Sequence, residues 1–184
     1  MLGEIKDTTK SRVLNTHYYM PPQNMVVELM TDGYTDPDIF PFLRDRQKEV
    51  GCKPFLSRKE STGFIFNRLW AAIKRETLFI LAEGVSTPDE IDTLFLELTR
   101  SWRGPCRFMD EAVGLDTVAL IEDHYIRERQ LSPIYTVDFL RREYLAKGKL
   151  GAKPPHGGLY PHQPQNVALD SGLAPQTENL ISSE

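Results

Sequence analysis

The pattern of apolar and polar residues near the start of the chain predicts a β-hairpin. Residues 12–19 are rich in β-branched and aromatic side chains, and residues 25–30 form a second short apolar run. The segment between them, residues 21–24, contains two prolines and an asparagine, which favour a turn. One more short strand is predicted at residues 53–56. Because so few strands make a poor open sheet, we expect further strands to be supplied from elsewhere.

Helical periodicity follows the hairpin and dominates the rest of the pattern. The longest helix, with apolar residues at helical spacing, is predicted to end before Gly84. Thr87 and Glu90 have the spacing of a capping box, and Thr136 is expected to cap the last helix. A division is expected near Gly114. The predicted helices cover residues 36–50, 62–82, 88–102, 108–129 and 136–147.

Composition and charge narrow the classes of function. The 184 residues carry a formal net charge of −4, which argues against nucleic acid as a main partner. No apolar run reaches the ~18 residues that a membrane span needs, and residues 1–10 are polar. Cys52 and Cys106 make neither a disulfide framework nor a metal-ligand pattern. We therefore expect a cytoplasmic protein that binds neither nucleic acid nor membrane and holds no metal.

His17 and Glu28 are candidates for acid–base chemistry. If residues 21–24 form the hairpin loop, the numbers of cross-strand partners sum to 45, and His17 faces Glu28. Directly opposed residues have Cβ atoms about 4.5–5.5 Å apart, so the carboxylate could hydrogen-bond the imidazole and raise its basicity. An ordinary surface pair on a hairpin is the alternative interpretation.

Five blocks of sequence resemble the motifs of the 3-hydroxyacyl-CoA dehydrogenase family and occur in the same order. The family's first motif reads His-Phe-Phe-Asn-Pro and then Leu-Val-Glu, and its second reads Gly-Phe-Ile-Val-Asn-Arg-Leu. The matching blocks here are His17 to Pro22 with Val26 to Glu28, Gly63 to Leu69, Glu83 to Val85 with Asp89 to Asp92, Gly104 to Asp116 and Gly148 to Tyr160. One block would be weak evidence, whereas five in order are specific.

The resemblance implies both a fold and a set of roles. The expected fold is mainly α, with a short β-hairpin as the residual edge of a Rossmann sheet, followed by a helical domain of the family's C-terminal type. His17 would be the general base on the 3-hydroxyl, Glu28 would orient it, and Asn67 would hold the substrate nearby. For Asn67 the alternative is a solvent-facing or capping amide.

Departures from the family pattern matter as much as the matches. Met20 replaces the asparagine that follows the two aromatic residues, so a strong donor and acceptor becomes a weak acceptor. Thr62 replaces a common proline, and the His-to-Glu separation is one residue shorter than usual. No Gly-x-Gly-x-x-Gly loop occurs, and such a loop would hold the pyrophosphate of NAD. NAD is therefore implied only if a nucleotide-binding domain is supplied elsewhere.

The predicted organisation has four parts and leaves three functions open. Residues 1–10 are expected to be flexible, 11–60 to be a remnant of the nucleotide-binding domain, 61–152 a helical domain, and 153–184 a disordered tail. The chain could be a fragment or subunit of an oxidoreductase acting on a 3-hydroxyacyl or 3-ketoacyl substrate. It could instead be a repurposed, cofactor-free cyclase or isomerase. It could also be a non-catalytic dimerisation subunit, since the helical half makes the homodimer interface in this family.

Overall fold

The sheet forms as the apolar pattern predicts. In the computed structural model, which describes residues 6–20, 23–152 and 156–161, β1 (Asn15–Tyr18) pairs antiparallel with β2 (Val26–Met30). The third strand, β3 (Lys53–Ser57), lies parallel to β2 on its other side. The hairpin and the third strand are confirmed.

The central strand is buried, and a helix joins it to its parallel neighbour. Val27, Glu28, Leu29 and Met30 are all buried. A parallel connection needs a crossover, and α2 (Ile39–Glu49) provides it. Glu28 is therefore a carboxylate on a strand from which water is excluded, and it needs hydrogen-bond donors from the protein.

The rest of the regular secondary structure in the described chain is helical, which confirms the predicted fold class. The longest packs its buried face against the helices that follow it. In chain order the helical elements are α1 (Asp7–Lys10), α2, α3 (Phe66–Ala82), α4 (Pro88–Thr99), α5 (Pro105–Arg107), a π-helical turn (Phe108–Val113), α6 (Leu115–Arg129), α7 (Val137–Glu143) and a 3₁₀ turn (Leu145–Lys147).

Several helix boundaries differ from the predictions for local reasons. The third helix begins at residue 66 instead of 62, because Gly63 and Phe64 have φ values of +81° and +54° and cannot continue a helix. The fourth helix ends at 99 because Arg100 is left-handed, with φ +56°. The capping box of Thr87 is confirmed. The predicted side-chain cap at Thr136 is wrong, since its hydroxyl donates to the Pro133 carbonyl instead.

The main core lies among the helices that follow the sheet. The predicted break near Gly114 is confirmed, with φ +90° there, between the π-helical turn and α6. Burial of these side chains supplies the main driving force for assembling the helical part. The core consists of Leu78, Met109, Leu115, Val118, Ala119, Val137, Phe139 and Leu140.

The two ends of the chain are described only in part. Residues 1–5, 153–155 and 162–184 lie outside the described residues, and with them most of the predicted flexible ends. Residues 156–161 are described, and Leu159 and Tyr160 bond to side chains of the helical domain. The domain therefore extends past residue 152. No helix in the described part of the chain is long and apolar enough to cross a membrane.

Candidate active site

The hairpin places His17 directly opposite Glu28. The two residues are Cα partners in the β1–β2 register, as the 21–24 loop predicts. His17 is partly buried, and its imidazole packs edge-on against the Tyr19 ring with centroids 4.5 Å apart. The predicted backbone pairing is thus confirmed.

The Glu28 carboxylate bonds to groups other than His17. Its Oε1 accepts from the backbone N–H groups of Ile65 at 2.9 Å and Phe66 at 3.3 Å, where α3 begins. Its Oε2 accepts from the Tyr19 hydroxyl. The first N–H groups of a helix lack helical partners and attract a negative charge, which explains the direction of the carboxylate. Among the described contacts, the predicted His17–Glu28 hydrogen bond is not formed.

Asn67 lies beside Nε2 of the imidazole. Its Nδ2 is 3.4 Å from Nε2 of His17, so the prediction that these residues share a site agrees with the geometry. With the amide donating, Nε2 is the acceptor and Nδ1 carries the hydrogen. Within the described residues, Nδ1 of His17 is buried and has no hydrogen-bond partner. In this tautomer the lone pair of Nε2 lies toward Asn67, and the buried Nδ1–H has no partner among the described residues.

Tyr19 was not singled out by the sequence pattern. Burial, the hydrogen bond to Glu28 and the charge of that carboxylate raise the pKa of the Tyr19 hydroxyl, in that order of size. The hydroxyl therefore stays protonated and acts as a fixed donor. The matched family motif has phenylalanine in the aromatic pair, and a phenyl ring could not compete for the carboxylate.

A cavity of about 620 Å³ opens beside the imidazole. His17, Asn67 and Gly63 line one side, and Met20, which is largely exposed, lies at its margin. A Cβ at position 63 would collide with the Tyr125 hydroxyl, so glycine permits this close approach. The other lining residues are Tyr18, Tyr19, Thr62, Trp70, Lys74, Phe108, Val113, Leu120, Ile121, His124 and Tyr125.

Lys74 is an unexpected buried cation in this cavity. It lies on the buried face of α3 with Ala71 and Leu78, and its exposure is 5%. Burial lowers the pKa of the ammonium to about 8, with Glu122 acting in the opposite direction. A lysine between two apolar residues at helical spacing was the available signal. Sequence reasoning passed over it because lysine usually reaches solvent.

Polar residues of the later motif blocks form a buried hydrogen-bond network, whereas Phe108 and Val113 of the same blocks line the cavity. Asp92 is buried and accepts from the N–H groups of Cys106 at 2.7 Å and Arg107 at 2.8 Å, and from the Tyr160 hydroxyl at 2.7 Å. A Cβ at Gly104 would overlap the Asp92 carboxylate. These motif residues therefore hold the segment of residues 156–161 against the helical domain.

Asp110 is the second buried carboxylate of this hydrogen-bond network. Asp110 accepts the N–H of Leu159 at 2.6 Å, and burial raises its pKa. The helical domain is thus fastened at two carboxylates, both remote from the imidazole in sequence.

Within the described part of the chain, the glycine pair at residues 157–158 does not fit the pyrophosphate of a dinucleotide. The adjacent pair Gly157 and Gly158 is buried, and a Cβ at Gly158 would overlap Asp110 and Gly151. These glycines permit close packing and do not form a loop between a strand and a helix N-terminus. No group of three or more potential metal ligands occurs among the described residues.

Comparison with known proteins gives consistent relatives. The family model "3-hydroxyacyl-CoA dehydrogenase, C-terminal domain" matches residues 63–160. A 3-hydroxyacyl-CoA dehydrogenase-like protein of Cochliobolus heterostrophus is 50% identical over 183 residues, covering 94% of this chain and 38% of the relative. The human mitochondrial hydroxyacyl-coenzyme A dehydrogenase is 28% identical, over 82% of this chain and 48% of its own length.

A solved structure agrees with the sequence relatives. The (S)-3-hydroxybutyryl-CoA dehydrogenase of Ralstonia eutropha matches with a TM-score of 0.74 and 29% identity, over 84% of this chain and 53% of that one. The chain spans about half or less of the length of the curated relatives named above. The motif blocks, the helical fold and the match of residues 63–160 agree, and the chain belongs to the 3-hydroxyacyl-CoA dehydrogenase family.

Proposed function

We propose that this chain supplies the substrate-binding and proton-transfer part of an oxidoreductase acting on a 3-hydroxyacyl or 3-ketoacyl substrate. The observation that carries the proposal is the 3.4 Å approach of Asn67 Nδ2 to His17 Nε2 at the wall of the cavity. In the oxidative direction, Nε2 of His17 accepts the proton of the 3-hydroxyl, and Asn67 holds the same oxygen by its amide. Glu28 and Tyr19 fix the strand and the start of α3 around them.

The acceptor of the two electrons is assigned to a nucleotide-binding domain supplied elsewhere, with NAD as the cofactor that the family implies. Exposed apolar surface supports such a neighbour. Phe55, Ile65, Phe66 and Leu69 are 42–61% exposed and surround one depression beside the sheet. Large contiguous apolar surfaces are typical of interfaces. The outer edge of β3 also has no strand neighbour among the described residues.

Reconstitution tests the proposal. The full chain is mixed with the part of the C. heterostrophus relative that lies outside the matched region, and NADH consumption is followed with acetoacetyl-CoA. We expect turnover only with both polypeptides. His17→Gln should lower it by about 10²–10⁴-fold, as loss of general acid–base catalysis does. His156→Gln, at an exposed histidine away from the cavity, is the matched control. Equal turnover by both variants would contradict the role of His17.

Cofactor-free proton transfer is a second candidate, because His17 and Asn67 both belong to this chain. A base beside a 3-oxo substrate can remove a C2 proton and return one to the same carbon, with no change in oxidation state. We expect the isolated chain to exchange C2 hydrogens of acetoacetyl-CoA with deuterium oxide, and His17→Gln to slow this exchange. Exchange without turnover in the reconstituted mixture would favour the repurposed enzyme over the oxidoreductase.

Homodimerisation through the helical domain is proposed as well. Leu94, Leu98 and Trp102 are 61–76% exposed, and the first two lie one helical turn apart on α4. An apolar stripe of this kind favours association with another surface. Sedimentation should give a dimer, and Leu98→Glu should weaken it. A monomeric wild type would exclude this interface.

A further inference from the structure

We infer that the cavity beside His17 binds the carboxylate of a small organic acid, and that the Lys74 ammonium receives it. The inference narrows the substrate class of the proposed oxidoreductase, from any 3-hydroxyacyl compound to one with a free carboxylate. It rests on that proposed function for the reaction. Its evidence is the location and charge of Lys74, which the proton-transfer mechanism does not use.

Lys74 is placed to face a ligand that also reaches His17. Asn67 and Lys74 are seven residues apart on α3, which is two turns, or about 10 Å along the helix axis. Helical side chains lean toward the N-terminus, so the lysine side chain extends back toward Asn67. Both residues line the same cavity. An acid with a reacting carbon near His17 can therefore reach Lys74 with its carboxylate.

The buried ammonium has no counter-ion at contact distance. Among the described residues, no carboxylate lies within 4.0 Å of its nitrogen. Glu122 is the nearest candidate from the electrostatics, but both its oxygens accept from Arg75, at 2.6 Å and 3.3 Å. A buried charge without a partner is costly, and an anionic ligand would relieve that cost.

The remaining lining of the cavity favours an anion. The described lining residues include no aspartate or glutamate, whereas Lys74 supplies a cation. Trp70 also lines the cavity, and its buried indole Nε1–H has no hydrogen-bond partner within the described residues. Carboxylate oxygens accept from such donors, while a thioester offers only a weak, uncharged carbonyl acceptor.

Binding of a matched pair of probes tests the inference without any turnover. The full chain is titrated with 3-hydroxyhexanoate and with its methyl ester, which differ in the charge of one end, and Trp fluorescence or calorimetry gives Kd. We expect the wild type to bind the acid about tenfold more tightly than the ester, as a charge-assisted hydrogen bond implies. Lys74→Met should abolish this preference, and Lys74→Arg should retain it.

Proton uptake gives a second readout that a purely structural lysine would not change. With the pKa of Lys74 near 8, a bound carboxylate should charge the partly neutral amine, so calorimetry near pH 8 in two buffers should detect proton uptake. The other titratable groups that line this cavity are His17, Tyr18, Tyr19, His124 and Tyr125, and Glu122 and Arg75 interact electrostatically with Lys74. Lys74→Met should remove the uptake, and the ester should cause none.

The outcomes separate this inference from the proposed function. An unchanged acid-to-ester ratio in Lys74→Met, or no detectable binding of the acid by the wild type at millimolar concentration, would overturn the carboxylate site. His17→Gln should keep the ratio, because His17 acts on the hydroxyl. Failure of reconstituted turnover with acetoacetate as well as with acetoacetyl-CoA, together with an intact acid preference, would instead overturn the oxidoreductase proposal and leave the carboxylate site standing.

Discussion

Two buried carboxylates, Glu28 and Asp92, organise two different regions of this protein. Asp92 accepts two backbone N–H groups and the Tyr160 hydroxyl, and its surroundings are closely packed down to the Gly104 backbone. Glu28 also accepts from a helix start and a tyrosine, but it lies opposite an imidazole whose Nδ1 has no described partner. The same kind of contact therefore stabilises the packing of the helical domain at Asp92 and lies beside the candidate active site at Glu28.

The largest change in stability is expected when Asp92 is replaced. Asp92→Ala removes the acceptor of one buried and two partly buried donors, so we expect the free energy of unfolding to fall by about 3–4 kcal/mol. Urea denaturation measures this change. Asp123→Ala, which removes an exposed ion pair with Arg141, should cost less than about 1 kcal/mol. Equal losses of unfolding free energy in the two variants would show that Asp92 stabilises the protein no more than an exposed aspartate does.

Replacing Lys74 should raise the stability of the protein instead of lowering it. Its pKa in the folded protein, about 8, lies below the ordinary 10.5, so the unfolded state binds more protons between those values. Below pH 8 the buried charge lowers the free energy of unfolding by its full amount, and this penalty disappears as the pH rises toward 10.5. Lys74→Met should therefore stabilise the protein by roughly 3 kcal/mol at pH 7, an advantage that shrinks above pH 8.

The control for this variant is Lys48→Met, at an exposed position on α2. It should change neither the stability nor its pH dependence. A Lys74→Met variant that gains nothing at pH 7 would mean that the ammonium already has adequate solvation. The expected gain in stability together with the loss of acid binding would be a trade between stability and function.

Glu28 should matter less for stability than Asp92. Glu28→Ala leaves the N–H groups of Ile65 and Phe66 without that acceptor, and we expect a loss of about 2 kcal/mol. Glu28→Gln keeps an oxygen for them and should lose about 1 kcal/mol. Thermal or urea denaturation ranks the two variants. A loss as large as that of Asp92→Ala would remove the distinction between the regions.

The smallest effect is expected for Tyr19→Phe. Losing one hydrogen bond should cost about 1 kcal/mol of unfolding free energy. The freed Glu28 oxygen could then accept from His17, so nitrogen NMR should report a newly protected Nδ1 proton. Tyr18→Phe, at an exposed tyrosine bonded to Gln47, is the control and should leave that proton unchanged. An unprotected Nδ1 in Tyr19→Phe would show that Tyr19 does not keep the two apart.

The sequence predicts the backbone of the site better than its side chains. Loop length alone puts His17 opposite Glu28, because a strand register follows from its turn. The direction of the Glu28 carboxylate depends on where α3 begins, and that start is set by the left-handed Phe64. Such a contact joins segments far apart in the chain, so local patterns carry no signal for it.

The helical domain divides in the same way. The capping box at Thr87 and the break at Gly114 are local and were predictable. The roles of Asp92 and Lys74 depend on neighbours from other helices and were not. A carboxylate on a helix usually faces water. The structure shows that Asp92 instead accepts from an N–H group at the start of α5.

The π-helical turn at Phe108–Val113 has a consequence for how the domain tolerates change. Gly114 N–H bonds to the Met109 carbonyl at 2.9 Å, five residues back, so this turn holds one residue more than an α-helical turn. The extra residue sets the angular phase between Phe108 and Val113, both on the cavity wall. Removing a single residue between Phe108 and Val113 would rotate these two wall residues relative to each other without replacing either of them, so the length of the segment is itself a determinant of cavity shape.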